Sequence, residues 1–438
     1  MSKINIVRFK DLDRWDVKKY LHSLNSTFPI VELKNFIIEN KNKVKPFEFP
    51  KQNFDILGVN NRDGVYFNET LLGSHIKQPY CQVRSGEIFY NPYRINVGSI
   101  GIVPDEFDLK YTSPAYVVFS TDETKLLAKF LVFVLKSKKF NDFLRANTKG
   151  SVRQNLSFQA LCELQIPLPP LEIQNKIVAD IENIRAKIKA LQEEEQRLKN
   201  EIDIYIYIAL GLRKKQKVQK QKVFVMRFKD LTRWDLTYNQ NVNFDETNKS
   251  EPKYPLVRLG DICETNIGLT YNPSDISKDN VGVGVLRSNN INDGIINYDN
   301  LIYVKNTNIK QSKIAKKGDL IMCVRNGSAN LVGKTAMVNK NNISFGAFMA
   351  IIRSKYNKFI YYVLQTDMLR DNIFGMRSQG INQISQSDIK NFKIPLPPLK
   401  IQEKIVADIE NLNGQILNAQ TEILSLKGQE TAILESCF

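Results

Sequence analysis

Histidine is nearly absent: only His22 and His75 occur in 438 residues, and neither has a neighbour at catalytic or ligand spacing. Imidazole is the usual general base and metal ligand near neutral pH, so this scarcity disfavours most hydrolytic and zinc-dependent chemistries. The five cysteines (Cys81, Cys162, Cys263, Cys323, Cys437) are odd in number, widely scattered and outside any CxxC, which argues for reduced thiols and against a zinc site or disulfide framework. No run reaches the roughly 18 uncharged apolar residues of a membrane span. The nearest stretch, IDIYIYIALGL at 202–212, is short, contains Asp203 and continues a helical pattern. The opening MSKINIVRFKDL lacks the apolar centre of a signal peptide, so a cytoplasmic location without membrane association is expected.

Catalytic signatures are missing as well. No phosphate-binding P-loop occurs, and VGVGV at 281–285 reads as a strand without the helix that a dinucleotide fold needs. NPYR at 91–94 is similar to the Asn-Pro-Pro-Tyr loop with which adenine methyltransferases grip a flipped base, but it lacks the second proline. PDEFDLK at 104–110 crowds its carboxylates into one turn, unlike a metal-dependent nuclease. The expectation is a chain with no catalytic residues, no metal and no cofactor of its own.

What the sequence does have, it has twice. IPLPPLEIQNKIVADIENI at 166–184 returns as IPLPPLKIQEKIVADIENL at 394–412, identical at 16 of 19 positions with a register of 228. RFKDLDRWD at 8–16 returns as RFKDLTRWD at 227–235 with a register of 219, so the repeat embraces each half of the chain. Carried outward, the registers match Met1 to Lys220 and Phe438 to Leu210, leaving 211–219 without a counterpart. That pattern is expected of a two-fold ring of parts opened once, with termini close together.

The prolines hold the chain extended and forbid a helix through them, so a helix starts just after each. Beyond them, Ile173, Ile177, Ile181, Ile184, Ile188, Leu191, Leu198 and Ile202 follow heptad spacing, as do Ile401, Ile405, Ile409, Leu412, Ile416, Ala419, Ile423 and Leu426. Each stripe is too narrow to be buried alone, and a two-fold axis makes its own copy, running antiparallel, the expected partner. Ile181, Ile184, Ile188, Leu191 and Leu198 are the candidates on one helix, and Ile409, Leu412, Ile416, Ile423 and Leu426 on the other. A helix from 173 to 210 would span roughly 55 Å at about 1.5 Å per residue.

Between these frames lie two inserts of similar grammar and divergent sequence. Short apolar runs such as FDILGV, EIFYNPY and SIGIVP, or GVGVLRSNNIND, KKGDLIMCVRNG and AFMAIIR, alternate with turn residues. Each insert ends in a helical stretch, 125–145 in the first and 357–374 in the second. The fold expected is α+β: two mixed domains at 1–165 and 219–393, with spacer helices and connector at 166–218 and 394–438, related by a pseudo-two-fold axis.

The net charge of +16 points to a polyanion, nucleic acid above all. Arginine, lysine, asparagine and glutamine match the donor and acceptor patterns of base edges, and both inserts place them at turns. In the first, Tyr90, Asn91, Tyr93, Arg94, Lys149, Arg153, Gln154 and Asn155 are the candidate DNA-binding residues. In the second they are Arg287, Asn289, Asn290, Arg325, Asn326, Lys334, Arg377, Gln379, Asn382 and Gln383. The basic run from Arg213 to Lys222 suits nonspecific phosphate contact.

The doubled IPLPPL-x-IQ frame, with YPLVRLGDI at 254–262, KKGDLIMCVRNG at 316–327 and QGINQIS at 379–385, resembles the specificity subunit of type I restriction-modification systems along essentially the whole chain. In the first insert VELKNFIIE stands in place of RLGDI, and GEIFY in place of GDL. The resemblance implies two target recognition domains, each reading one half of a split, asymmetric site in double-stranded DNA, with the helices as a ruler. It also implies two methyltransferase subunits that use S-adenosylmethionine to methylate adenine, and two restriction subunits that use ATP and Mg. From the residues alone, a noncatalytic coiled-coil adaptor that binds DNA without sequence preference is the alternative.

Overall fold

Pro167 and Pro395 each close a short strand that pairs with the first strand of its own domain. The computed structural model describes residues 26–147, 155–212, 228, 252–292, 294–305, 309–328, 331–366 and 383–438, with the backbone alone for 143–147. In one half Ile30–Glu32 pairs antiparallel with Gln165–Pro167, and in the other Leu256–Arg258 pairs with Lys393–Pro395. Val31 faces Ile166 as Val257 faces Ile394, so VEL takes the same place as VRL despite its different sequence. Leu33 donates its amide to Leu164, as Leu259 does to Phe392. The repeated RFKDL segments lie outside the described residues, Phe228 excepted, as do Met1 and most of the 211–219 connector.

By its internal contacts the chain divides into two compact units, 1–193 with 420–438 and 194–419. The division falls within two long helices, so each unit holds the first part of one and the last part of the other.

In the first unit a four-stranded antiparallel sheet is ordered Ile37–Glu39, Val117–Thr121, Ile88–Tyr90, Ile100–Ile102. Helix α1 (Ala128–Lys136) covers it with an almost wholly buried AKFLVFVLK. The helix expected over 125–145 breaks at Ser137, whose extended ψ of 149° interrupts it. The Ser137 hydroxyl then accepts from the Phe140 amide at 3.2 Å, capping α2 (Lys138–Asn147). A five-stranded sheet, built on the hairpin Asn53–Asn60 and Gly64–Leu72, completes the domain. Helix α3 (Phe158–Cys162) leads into the proline stop and α4 (Leu171–Ala209) follows it.

The second unit repeats the sheet as Glu264–Ile267, Met349–Arg353, Leu320–Cys323, Thr335–Met337, all antiparallel. A second sheet holds Ile302–Val304, Val283–Leu286, Ile343–Phe345 and Ile314–Ala315. Helix α5 (Leu259–Ile262) is a single turn, α6 (Asn357–Gln365) matches α1, and α7 (Gln386–Asn391) precedes α8 (Leu399–Glu435). Like Ser137, Thr366 is extended and ends α6 at Gln365; the rest of the stretch expected to be helical, 367–374, lies outside the described residues.

The glutamine of the repeated frame explains itself. Gln174 is fully buried, donates to the carbonyls of Pro169 and Lys125 at 2.8 Å each, and accepts from the Leu127 amide at 2.9 Å. One side chain thereby ties the proline turn, the start of α1 and the start of α4 together. Gln402, also buried, makes the corresponding bond to Pro397 at 2.8 Å.

Within the first unit α4 and α8 run antiparallel. Ile177, Val178 and Ile181 share a core with Leu434 and Cys437, while Ile184, Ile188 and half-buried Leu191 cluster with Ile423 and Leu426. Arg185 bridges to Glu430 at 2.7 Å. Within the second, Ile405, Val406 and Ile409 pack in one core with Ile206 and Leu210, and the Tyr205 hydroxyl donates to Asp408. Leu198 and Ile416 are buried and Leu412 is half-buried, whereas Ile401 is 37 % exposed and stands off the stripe.

Candidate nucleic-acid interface

The turn entering the central strand of each domain is the same. Gly86 and Gly318 adopt φ of +82° and +94°, conformations that favour glycine. The acid that follows turns back to cap the loop: Glu87 accepts from the Arg84 amide and Asp319 from the Lys316 amide, both at 2.7 Å. GEIFY and GDLIM are therefore one backbone motif with a register of 232. In the second domain Asp319 also holds Arg353 through two bonds of 2.9 and 2.7 Å, and this keeps the Arg353 guanidinium pKa above its usual value.

The chain leaving each central strand turns into a polar loop, and the segment before α3 or α7 is stitched to it. Leu156 donates its amide to the Pro92 carbonyl at 3.0 Å; Ile384 donates to Val324 at 2.7 Å. The serines that follow cap their helices, Ser157 accepting from Ala160 and Ser385 from Asp388. Asn155 and Gln383 thus occupy one position of the repeated frame, beside Tyr93 and Arg94 in the first domain and beside Arg325 and Asn326 in the second.

In the first domain Tyr93 is 56 % exposed, and Arg94 and Asn155 are exposed too. Half-buried Asn91 spends its side-chain oxygen on the Tyr93 amide, so it shapes the loop. Tyr90 departs from the expectation. It is fully buried, and its hydroxyl donates to the Leu156 carbonyl at 3.0 Å. Burial pushes its phenol pKa up, and the ring offers no surface to a base. Lys149, Arg153 and Gln154 lie outside the described residues.

In the second domain Arg325 is bridged to Gln383 along the backbone, and both are exposed. The Asn326 amide donates to the Ser288 hydroxyl at 3.0 Å, drawing in half-buried Arg287 and exposed Asn289 from the other sheet. Arg287 Nε is buried without a hydrogen-bond partner among the described residues. The carbonyl of half-buried Lys334 accepts from the Cys323 amide at 2.8 Å, which places it at the same end of the sheet. Asn290 is corrected as Tyr90 was: 2 % exposed, it accepts from the Arg287 amide and donates to the Asn297 carbonyl, a structural cap. Arg377, Gln379 and Asn382 lie outside the described residues.

The residue that sequence reasoning missed is Phe348. It precedes the strand Met349–Arg353, stands 56 % exposed, and accepts at its carbonyl from Val324 and Arg325. Inside the apolar run AFMAIIR it reads as core.

Residues 19–200 and 253–427 match the family described as type I restriction modification DNA specificity domain. The chain belongs to that family. Two specificity domains accordingly occupy the two halves, each containing one of the polar edges above. The chain is 24 % identical over 316 residues to the type I restriction enzyme MjaIX specificity subunit of Methanocaldococcus jannaschii, covering 70 % of this chain and 68 % of that one. It is 28 % identical over 137 residues to the EcoKI specificity subunit of Escherichia coli, 30 % of either chain. Among solved structures, a chain of a type I R-M system described for its complex assembly and conformational transition superposes with a TM-score of 0.61 at 19 % identity. That match covers 95 % of this chain and 98 % of that one, a likeness of fold.

Burial pushes the thiols of Cys81 and Cys263 up to about 11, so neither is a ready nucleophile. Among the described residues no group of histidine, cysteine, aspartate and glutamate side chains is placed to hold a metal, and no helix is long and apolar enough to cross a membrane.

Proposed function

We propose that this chain reads a split, asymmetric site in double-stranded DNA, one half-site per domain, and directs adenine methylation or DNA cleavage carried out by partner subunits. The observation that carries the reading is the conjunction of identical frames with divergent edges. The same glycine turn, the same amide-to-carbonyl stitch and the same capped helix present Tyr93, Arg94 and Asn155 in one domain and Arg325, Asn326 and Gln383 in the other. A frame so conserved between halves suits a common mode of docking, whereas edges that differ suit two different base sequences. The long helices would set the unread spacing between half-sites.

The partners of the proposal are two methyltransferase subunits, which would supply S-adenosylmethionine chemistry, and two restriction subunits, which would supply ATP and Mg. Those cofactors would belong to the partners, the chain itself would be noncatalytic, and the assembly would work in the cytoplasm. The net charge of +16 also favours a simpler reading, an adaptor that binds any duplex.

Mapping adenine methylation across the host genome, with the gene intact and with it deleted, separates these. Loss of one split, asymmetric motif on deletion is the expected result. A methylome that keeps every motif would contradict the proposal and favour the adaptor.

A further inference from the structure

The second domain contains one pair whose geometry narrows the chemistry of the base it meets. The Arg325 guanidinium carbon lies 5.3 Å over the centroid of the Phe348 ring. Both residues are fixed by backbone: the Arg325 amide donates to the Phe348 carbonyl at 3.2 Å, the Val324 amide donates to the same oxygen at 2.9 Å, and Arg325 is bridged to Gln383 on its other side. Although large and apolar, Phe348 is 56 % exposed. A guanidinium held over an aromatic face loses much of its rotamer freedom and keeps the N–H fork at its rim free for planar, bidentate recognition. Among base edges that fork matches guanine O6 and N7. Among the described residues no acidic group is ion-paired with Arg325.

The first domain supplies the contrast. With the register of 232 that aligns the central strands, Tyr93 stands where Arg325 stands. The register across the neighbouring strands, Tyr90 to Val117 in one domain and Met322 to Ala350 in the other, puts Ala115 where Phe348 stands. The first domain therefore has neither the fork nor its platform at this position.

We propose that Arg325 reads a guanine in the major groove of the half-site met by the second domain, with Phe348 as the positioning residue that holds its guanidinium plane. No such guanine contact is assigned to the equivalent place in the first domain. This inference rests on the base-reading role proposed above.

The test uses the full chain and randomised duplex DNA to obtain the wild-type site, followed by binding to that site with each guanine replaced in turn by 7-deazaguanine, which lacks the N7 acceptor. The expected result is one guanine in the second half-site whose replacement weakens wild-type binding roughly fivefold or more. The same replacement should leave Arg325→Ala binding unchanged. Phe348→Leu should lose most of that penalty while Phe348→Tyr retains it, and neither should alter discrimination within the first half-site. A site-specific wild type with no guanine penalty that Arg325→Ala abolishes would overturn the inference and leave the proposed function standing. A penalty undiminished in Phe348→Leu would remove Phe348 from it. A wild type that enriches no sequence would overturn both.

Discussion

The amide of Ile384 donates to the carbonyl of Val324 at 2.7 Å, and this bond brings the end of a loop to the exit of the central strand. Arg325 and Gln383 become neighbours through it, although 58 positions separate them in sequence. Its counterpart from Leu156 to Pro92 stands at the same place of the frame for Tyr93 and Asn155. The candidate edges exist because of these stitches.

Ser385 accepts from the Asp388 amide while Asp388 reaches back to the Ser385 amide, a reciprocal cap one residue from the stitch. Ser385→Ala should cost the second unit about 1 kcal/mol, as an N-cap does. Chemical denaturation followed by hydrogen exchange within that unit measures it, and Ser157→Ala should act similarly in the first.

Gln174→Leu should be more costly. It strands the buried carbonyl of Pro169, and the partly buried carbonyl of Lys125 and amide of Leu127, with only an apolar side chain between them. At about 1–3 kcal/mol for each unsatisfied group, partly relieved by local shifts, a loss of roughly 2–4 kcal/mol from the first unit is expected. A change below about 1 kcal/mol would mean that the glutamine is not the tie described.

Helix α8 carries two interior glycines, Gly414 and Gly428, and a Cβ added at either would meet nothing within 4 Å. Glycine costs a helix interior about 1 kcal/mol relative to alanine. Gly414→Ala and Gly428→Ala should each stabilise the protein by about 0.5–1 kcal/mol in denaturant titrations. Destabilisation by either would show that the position is contacted.

Tyr205 gives a pH dependence. Partial burial and the bond to the Asp408 carboxylate raise its phenol to about 12, because ionisation would place two negative charges together. The folded pKa thus lies above the ordinary value near 10. The associated stability is fully present below pH ~10 and is lost as pH rises towards 12. Tyrosinate absorbance should show one fewer late-titrating residue in Tyr205→Phe than in the wild type, where buried Tyr90 and Tyr361 also titrate late. The alkaline fall in stability should be shallower in that variant.

Much of this was written in the sequence because repetition exposes what a single copy hides. The IPLPPL frame announced its extended stretch, its stop and its helix, though not the strand that pairs with it, and the narrow stripe from Ile184 to Leu191 announced a partner. Ser137 was less legible: its residue type suits a cap, but only the extended backbone shows that the chain breaks there. At the candidate edges, residue type proved a poor guide to exposure. Tyr90 and Asn290 lie among polar turn residues yet are consumed by internal hydrogen bonds, while Phe348 lies in an apolar run yet faces outward. Those outcomes depend on partners distant in sequence, Leu156 for Tyr90 and Arg325 for Phe348, which local pattern does not encode.

The central claim is that two edges at one frame position read two different half-sites. Selection from randomised duplexes by the full chain, by Asn155→Ala and by Gln383→Ala tests it most directly. The account predicts a two-part motif for the wild type, relaxation confined to one half in Asn155→Ala, and relaxation confined to the other half in Gln383→Ala, with a loss of discrimination on the order of 1–3 kcal/mol at the affected base. Relaxation of both halves by either substitution, or a motif unaltered by both, would contradict it.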